Sequence, residues 1–217
     1  MVDYAQARRT MVDCQVRPSD VTDLRIIAAL LDVARERFVP EARRPIAYLD
    51  IDVPVGTSAA RVLIKPMVFS KLLQAAEIGA NDRVLDVGCA TGYSAAVLAQ
   101  LAGHLTALEE DAALGRVANE TLAGAGNVSL VSGPLTAGWP QGAPYDAIVL
   151  EGAAEVVPDG LLAQLKDGGR LLAVVGTGPM GKATIYRKAA GRVSAQPLFD
   201  AAAPQLPGFA KPAAFVF

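Results

Sequence analysis

A short segment in the middle of the chain combines an acidic residue with two glycines at a spacing that could hold a charged ligand. Residues 84–93 read VLDVGCATGY: a strand-like run with Asp86, a turn with Gly88 and Gly92, and the start of a helical stretch. The glycines allow tight backbone geometry and the close approach of a ligand. The N–H groups at a helix start can bind an anionic group, and Asp86 can face a cation. The segment therefore predicts a site for a ligand with both charges, such as an amino-acid group.

A second acidic residue lies where a ribose could be bound. Glu109 follows Gly88 by 21 residues, at the end of the next predicted strand. A carboxylate there can accept hydrogen bonds from both ribose hydroxyls, and dinucleotide-binding folds use the same spacing. The turn alone is weak evidence, because a tight strand-to-helix turn need not bind anything. Turn and carboxylate together indicate a ribose-containing ligand.

The turn also separates two classes of such ligands. Dinucleotide sites follow G-x-G-x-x-G, whereas here Ala90 takes the place of the middle glycine and Tyr93 stands where a pyrophosphate would need space. Asp86 is poorly placed for a pyrophosphate and well suited to a cation. We therefore predict S-adenosylmethionine as the cofactor in preference to a dinucleotide. Its predicted contacts here are Asp86, Gly88, Cys89, Ala90, Gly92, Tyr93, Glu109 and Glu110.

The elements that must position these residues alternate along the second part of the chain. From about residue 82, strand-like runs alternate with helical stretches, which implies a mostly parallel sheet covered on both faces. Asp111 and Pro158 suit helix starts, and Gly168-Gly169 suits a helix stop. The predicted fold is α/β: a doubly wound sheet of the class I S-adenosylmethionine-dependent methyltransferase, Rossmann-like, type. We predict strands at 83–87, 105–108, 128–131, 145–150 and 170–175, and helices at 93–102, 111–123 and 158–166.

The two ends of the chain lack this alternation. Apolar residues recur at helical spacing over 21–33, with Ser19 or Asp20 as the cap. After residue 191, four prolines predict irregular chain, with an edge strand at 215–217. We expect a single methyltransferase domain over 1–217, made of an N-terminal helical and irregular extension (1–80), the cofactor-binding core (81–190) and a C-terminal extension (191–217).

Composition argues against several classes of protein. The chain has 217 residues, a formal net charge of −2, two cysteines and one histidine. No apolar run approaches the roughly 20 residues that cross a bilayer, and no basic patch predicts nucleic-acid binding. We expect no secretory signal, because no apolar stretch precedes a cleavage site, and no disulfide framework. The expectation is a cytoplasmic protein with no metal site and no nucleic-acid or membrane partner.

Several segments, taken in order, resemble the protein-L-isoaspartate O-methyltransferase family. The most distinctive are RERFVP at 35–40, AYLD at 47–50 and VPVG at 53–56. The turn at 86–93 and PYDAIV at 144–149 continue the order, and the resemblance covers about residues 10–180. It implies that S-adenosylmethionine donates its methyl group to the α-carboxylate of isoaspartyl residues in damaged proteins or peptides, a repair reaction.

The chemistry that this resemblance implies needs few catalytic groups. The acceptor carboxylate is already ionised at pH 7, so no strong general base is required. The protein must align a carboxylate oxygen with the methyl group and exclude water. The methyl ester then cyclises to a succinimide without the enzyme. We therefore assign no catalytic residue.

One departure from the family's pattern concerns the acceptor. Where the family has Thr-Ile-Ser before a proline, in a loop over the active site, this chain has the apolar run Val62-Leu63-Ile64 and then Lys65, and residues 56–66 are about two longer. Hydroxyls there would help to bind the substrate carboxylate, and Ile64 cannot donate a hydrogen bond. Lys65 or Arg61 could compensate. The predicted substrate-binding residues are Val62, Leu63, Ile64 and Pro66.

The other departure concerns the adenine. Gly133-Pro134-Leu135 stands where the family has Gly-Asp-Gly, whose aspartate helps to hold that ring. Pro134 has neither a carboxylate nor a backbone N–H. Leu135 could still pack on the adenine face, and its N–H could reach a ring nitrogen. We therefore add Gly133, Pro134 and Leu135 to the predicted cofactor contacts.

Three alternatives remain open at this point. The apolar run at 62–64 favours a methyltransferase of the same fold that acts on another acceptor. The two departures together favour a cofactor-binding protein that has lost catalysis, and a dehydrogenase is the most remote alternative. The sequence is compatible with a monomer or a homodimer.

Overall fold

A seven-stranded sheet with the order β5-β4-β3-β6-β7-β8-β9 organises the molecule, and a two-stranded ribbon, β1-β2, precedes it in the chain. The computed structural model describes residues 2–56, 61–176 and 178–211. The strands are β1 (Val53–Pro54), β2 (Val62–Leu63), β3 (Arg83–Val87), β4 (His104–Glu109), β5 (Val128–Ser132), β6 (Tyr145–Ala154), β7 (Leu165–Val175), β8 (Lys182–Ala189) and β9 (Arg192–Asp200). The helices are α1 (Tyr4–Met11), α2 (Leu24–Asp32), α3 (Pro66–Ala76), α4 (Tyr93–Ala99), α5 (Ala112–Thr121) and α6 (Asp159–Ala163).

Strands β3 to β7 run parallel to one another in the sheet, and β8 and β9 are antiparallel to their neighbours. In β3 the last four of its five residues are buried, as expected for a strand that is covered on both faces. Val84 packs into the core on one face of the sheet and Leu85 into the core on the other. The predicted α/β class with a mostly parallel sheet is confirmed.

The N-terminal extension packs on one face of this sheet. Met11, Leu30 and Phe69 belong to the same hydrophobic core as Val84. The predicted start of the helix at 21–33 is wrong: α2 begins at Leu24, because the Asp23 carboxylate accepts a hydrogen bond from the Arg25 N–H at 2.8 Å. Asp20 instead ends a preceding 3₁₀ turn with φ of 62°, a conformation that aspartate tolerates better than most residues.

The stretch after β6 departs from the predicted helix at 158–166. Helix α6 ends at Ala163, and Leu165 already pairs with Tyr145 in the sheet. The predicted helix stop at Gly168-Gly169 is therefore wrong, because both glycines lie inside β7 at an irregularity in its pairing with β6. A Cβ atom on Gly169 would lie 2.9 Å from the Tyr145 carbonyl oxygen of β6, so the close approach of the two strands requires glycine here.

The C-terminal extension contains a regular strand where irregular chain was predicted. Strand β9 forms a hairpin with β8, and the two residues of the turn, Ala190 and Gly191, have φ of 49° and 74°. Two consecutive positive φ angles match the twist of a tight hairpin, and Pro197 is tolerated because β9 is an edge strand. The edge strand predicted at 215–217 lies outside the described residues. Across the described ranges, no helix is both long and apolar enough to cross a membrane.

Candidate functional site

The strand order changes direction next to β3, and the predicted site residues meet there. Strand β4 lies on one side of β3 and β6 on the other, which makes the carboxyl ends of β3 and β6 the place where such sheets form a binding crevice. Gly88 follows β3, Glu109 ends β4, and Gly152 lies in β6. These three residues define the part of the molecule that we call the crevice.

The turn after β3 is held by the neighbouring strand. The N–H groups of Gly88 and Cys89 donate to the Leu108 carbonyl oxygen at 2.9 and 3.2 Å. Gly88 and Gly92 have φ of 83° and 94°, and Ala90 lies in the left-handed region with φ of 51°. The left-handed conformation costs a residue with a Cβ atom about 1–2 kcal/mol. In this conformation the Ala90 N–H donates a hydrogen bond to Glu109 Oε2 at 2.7 Å. The turn and the predicted ribose-binding carboxylate are thus joined.

Glu109 is fully occupied by donors from its own chain. Its Oε1 accepts from the N–H groups of Glu110 and Asp111, each at 3.0 Å. Its Oε2 accepts from Ala90 and also from the Arg61 guanidinium, whose Nη2 lies 3.3 Å from the Gly88 carbonyl oxygen as well. The side chains of this ion pair are 5% and 1% exposed. The acceptor sites predicted to take ribose hydroxyls are therefore filled by backbone N–H groups and one guanidinium.

A second segment fills the crevice from the other side. Residues 204–211, which we call the strap, run beside β6: Ala153 N–H donates to the Pro204 carbonyl at 2.8 Å, and Leu206 N–H returns to the Ala153 carbonyl at 2.9 Å. A Cβ atom on Gly152 would lie 2.6 Å from Leu206 Cγ, and one on Gly88 would lie 3.2 Å from Leu206 Cδ2. The space over both glycines is thus taken by Leu206 and, next to Gly88, by Arg61.

The predicted acceptor residues and the turn after β3 both line the small space that Leu206 and Arg61 leave open. It is a cavity of about 10 Å³, room for about one water molecule. The predicted acceptor residues and the turn after β3 share its wall, whereas Pro66 begins α3 and is buried away from it. Its lining residues are Val62, Leu63, Ile64, Phe69, Gly88, Cys89, Ala90, Tyr93, Ser94 and Glu151.

Buried carboxylates dominate the electrostatics of the crevice. Asp86 is 0% exposed, and burial raises its pKa to about 7; the Glu109 charge adds to this, while a hydrogen bond from the Ser94 hydroxyl and the Arg61 charge oppose it. Burial also raises the pKa of Glu151 well above its usual range. Asp86 Oδ1 and Glu151 Oε1 find no hydrogen-bond partner among the described residues. A cationic ligand would lower the cost of ionising both groups.

The residues at 133–135 do not line the cavity, but Leu135 Cδ1 lies 3.5 Å from the position that a Cβ atom on Gly88 would take. Leu135 is fully buried in the same core as Leu206, and its N–H donates to Glu110 Oε2 at 3.3 Å. Pro134 and Glu110 are exposed, and Gly133 is half-buried. The Leu135 N–H that was predicted to reach a ring nitrogen therefore has a protein partner, and the role of this segment stays a prediction.

Two further residues of the turn support a binding site without a nucleophile. Burial raises the pKa of the Cys89 thiol well above its usual value, so the thiol stays neutral and unreactive. Tyr93 packs edge-on against Phe38 at 5.6 Å, with the Arg35 guanidinium 4.6 Å from its ring centre. Across the described ranges, no group of three or more His, Cys, Asp or Glu side chains could hold a metal ion.

Sequence reasoning missed several residues that shape the crevice. Arg35, which is fully buried, donates to the carbonyls of Ala47 and Ile64 at 2.8 and 2.9 Å and so fixes the end of the acceptor segment. Nothing in its spacing signals this role. Leu206 lies in a proline-rich segment for which no regular structure was predicted. Its contact with Gly152 joins segments about 50 residues apart, so no local pattern at Leu206 indicates it. Gly152, which follows Glu151 in a buried strand, was the available signal, because a glycine inside a strand often marks a close approach.

Comparison with known proteins places the chain in a family. A sequence model described as protein-L-isoaspartate(D-aspartate) O-methyltransferase matches residues 7–202. A protein-L-isoaspartate O-methyltransferase of Methylorubrum extorquens (strain PA1) is 40% identical over 186 residues, which cover 85% of this chain and 80% of that protein. One of Rhodopseudomonas palustris (strain ATCC BAA-98 / CGA009) is 38% identical over 209 residues, covering 91% of this chain and 95% of that one.

Solved structures show a similar fold. A protein-L-isoaspartate O-methyltransferase superposes with a TM-score of 0.79 at 22% identity; the match covers 93% of this chain and 66% of that one, so this chain spans just under two thirds of its length. A second, from Plasmodium falciparum, described as a putative protein-L-isoaspartate O-methyltransferase in complex with S-adenosyl-L-homocysteine, has a TM-score of 0.78 at 17% identity and covers 95% and 99% of the two chains. At these identities the likeness establishes the fold.

Proposed function

Because this chain belongs to the protein-L-isoaspartate(D-aspartate) O-methyltransferase family, we propose that it transfers the methyl group of S-adenosylmethionine to the α-carboxylate of isoaspartyl residues in proteins. Its substrates are then damaged proteins or peptides in the cytoplasm, and it acts as a monomer or a homodimer. The observation that carries the proposal is the joining of the glycine turn to Glu109 at the crevice.

The charges of the crevice fit this cofactor. S-adenosylmethionine has a cationic sulfonium and a cationic ammonium group, and the crevice holds the buried carboxylates Asp86 and Glu151, each with an oxygen that has no partner in the described part of the chain. Glu109 is placed at the end of β4, where a carboxylate takes ribose hydroxyls. These residues would hold the cofactor, which supplies an electrophilic methyl group.

The protein itself contributes to the reaction by aligning the acceptor carboxylate and by excluding water. An ionised acceptor carboxylate needs no base, so the residues must hold it in line and exclude water. Val62, Leu63 and Ile64 are at most 5% exposed and form an apolar wall beside the turn. Arg35 fixes this wall through the carbonyls of Leu63 and Ile64, at 3.4 and 2.9 Å. The wall therefore shields the reacting groups from solvent.

The volume of the crevice sets a condition on binding. Pockets for ligands of this size have about 300–1,000 Å³, and the cavity over the glycine turn has about 10 Å³. A larger pocket of about 430 Å³ lies between Glu109, α5 and β5 and does not include the turn. Since Arg61 and Leu206 occupy the space over Gly88, both side chains must move when the cofactor binds. The free energy needed to displace these two side chains makes the free energy of cofactor binding less favourable.

The proposal is tested by the transfer of labelled methyl groups from S-adenosylmethionine to an isoaspartyl peptide, with the corresponding aspartyl peptide as control. We expect base-labile labelling of the isoaspartyl peptide alone. If the cofactor binds but neither peptide is labelled, the proposed acceptor is wrong.

A second candidate function is methyl transfer to a more apolar acceptor. The observation that favours it is the buried wall of Val62, Leu63 and Ile64, which offers no side-chain hydrogen bond to a carboxylate. Labelling of other acceptors at rates well above that of the isoaspartyl peptide would support it.

A further inference from the structure

Arg61 is a buried cation whose donors are largely unused. Its Nη2 contacts Glu109 and the Gly88 carbonyl oxygen, whereas Nε and Nη1 have no partner within the described ranges. Nη1 lies 3.3 Å from the position that a Cβ atom on Gly88 would take. Nη1 thus lies in the crevice with unused donors, and the side chain is 5% exposed.

Arg61 and a bound ribose would compete for the same carboxylate. An ionised carboxylate offers about four acceptor positions, and the four donors to Glu109 are three backbone N–H groups and Arg61. The backbone donors belong to the turn after β3 and to residues 110–111 at the start of α5, so they cannot leave without unfolding those segments. Arg61 is the donor that can give way to ribose hydroxyls.

The displaced guanidinium then needs another anion, because in the proposed function the free oxygens of Asp86 and Glu151 face the cationic groups of the cofactor. A buried charge without a partner is unfavourable, and Arg61 directly precedes the apolar segment Val62–Ile64, which has lost the hydroxyls expected at the acceptor site. Arg35 is held more firmly, because its Nε and Nη2 are bound to the carbonyls of Ala47, Leu63 and Ile64, and within the described ranges Nη1 is its one donor nitrogen without a partner. A guanidinium matches the geometry of a carboxylate and can bind it through two hydrogen bonds.

We propose that Arg61 binds the α-carboxylate of the acceptor once the cofactor has taken its place on Glu109. This inference rests on the proposed function and deepens it: one arginine lowers the affinity for the cofactor and supplies the acceptor's binding group. Binding is therefore ordered, with the cofactor first. Arg61 replaces the hydroxyl groups that residues 62–64 lack.

The test compares Arg61→Ala and Arg61→Gln with the wild-type protein in two measurements. Calorimetry gives the affinity for S-adenosylhomocysteine without turnover, and we expect it to rise about tenfold in both variants, because Glu109 loses a competing charged donor. Steady-state kinetics gives the KM for an isoaspartyl peptide, which we expect to rise at least tenfold. Arg17→Ala is the matched control, because Arg17 pairs at the surface with Asp13, and it should change neither value.

The opposite signs of the two effects are specific to this role. Tighter cofactor binding with an unchanged KM would overturn the acceptor role, and weaker cofactor binding in both variants, with normal melting temperatures, would overturn the competition. These outcomes require a wild-type protein that methylates the peptide. A wild-type protein that binds S-adenosylhomocysteine and does not methylate the peptide would instead contradict the proposed function, and the acceptor role with it.

Discussion

The two sides of the crevice differ in where their residues come from. The charged side, with Asp86, Gly88 and Glu109, is built from the ends of adjacent parallel strands and the turn between them. The covering side, with Arg61 and Leu206, comes from segments outside the alternating core. The charged side holds the turn and the carboxylates predicted to bind the cofactor, whereas the covering side fills the space over that turn. The sheet thus positions one side of the crevice, and segments outside its alternating core position the other.

The largest effect should come from a change on the charged side. In Gly88→Ala, the new Cβ atom would lie in the crevice, 3.2 Å from Leu206 Cδ2, at a φ of 83°. We expect the affinity for S-adenosylhomocysteine to fall at least 100-fold, because the methyl group takes the space of close ligand approach. Gly124→Ala is the control: Gly124 has φ of 93° and open space around it, so it should lose stability but no affinity. Equal losses of affinity in both variants would show that the crevice is not the site.

A change on the covering side should have the opposite sign. Leu206→Ala removes a side chain that is 2% exposed, and we expect a loss of about 2–5 kcal/mol in the free energy of unfolding. The affinity for S-adenosylhomocysteine should nevertheless rise, because less structure has to be displaced. Leu161→Ala, in the same core, should lose comparable stability without this gain. Weaker binding in Leu206→Ala would mean that the strap supports the ligand.

The pH dependence of binding tests the carboxylates. With its pKa at about 7, Asp86 is about one-tenth ionised at pH 6 and nine-tenths at pH 8, so the affinity for a ligand with an ammonium group should rise roughly tenfold over that range. Calorimetric titrations at both values check this. In Asp86→Asn the affinity should be lower and nearly independent of pH. An unchanged slope in that variant would assign the titration to another group.

The raised pKa of Asp86 also predicts how the stability of the ligand-free protein depends on pH. Between about pH 4 and pH 7 the folded protein holds a proton on Asp86 that the unfolded chain has released, so the free energy of unfolding should fall as the pH rises through this window. Urea titrations of the wild type and of Asp86→Asn measure the difference. If the stability of the wild type relative to Asp86→Asn does not fall with pH in this window, the raised pKa of Asp86 is contradicted.

The smallest effect should come from the turn itself. Ala90 has φ of 51°, which glycine adopts without strain. Ala90→Gly should therefore raise the free energy of unfolding by about 0.5–1 kcal/mol. The relief of backbone strain in the folded state should exceed the cost of the larger conformational entropy that glycine gives the unfolded chain. The affinity for the cofactor should stay within twofold. A loss of stability would show that the Ala90 methyl group contributes packing that outweighs the strain.

The sequence predicted the strands and the turn that form the charged side well, because hydrophobic runs and glycine turns are local signals. Strand β3 was predicted with its observed bounds, and Asp111 caps α5 as expected. Glu109 could be placed from its spacing alone, since it ends the next parallel strand. The resemblance to a family was confirmed by the comparisons.

The covering side could not be predicted in the same way. Its residues act through contacts between distant segments, such as Leu206 with Gly152 and Arg61 with Glu109. The β8–β9 hairpin was missed because Ala190-Gly191 is a weak turn signal and Pro197 argues against a strand. The role of Arg61 as partner of Glu109 depends on a pairing 48 residues apart in sequence, for which no local pattern exists.

The most direct test of these conclusions is a calorimetric titration of the wild-type protein with S-adenosylhomocysteine at pH 8. If the crevice opens for its cofactor, saturable binding should appear with a dissociation constant between about 1 μM and 1 mM, the range in which enzymes commonly bind substrates. No binding at millimolar ligand, by a protein that melts cooperatively, would mean that Arg61 and Leu206 close the crevice permanently and that the chain no longer uses this cofactor.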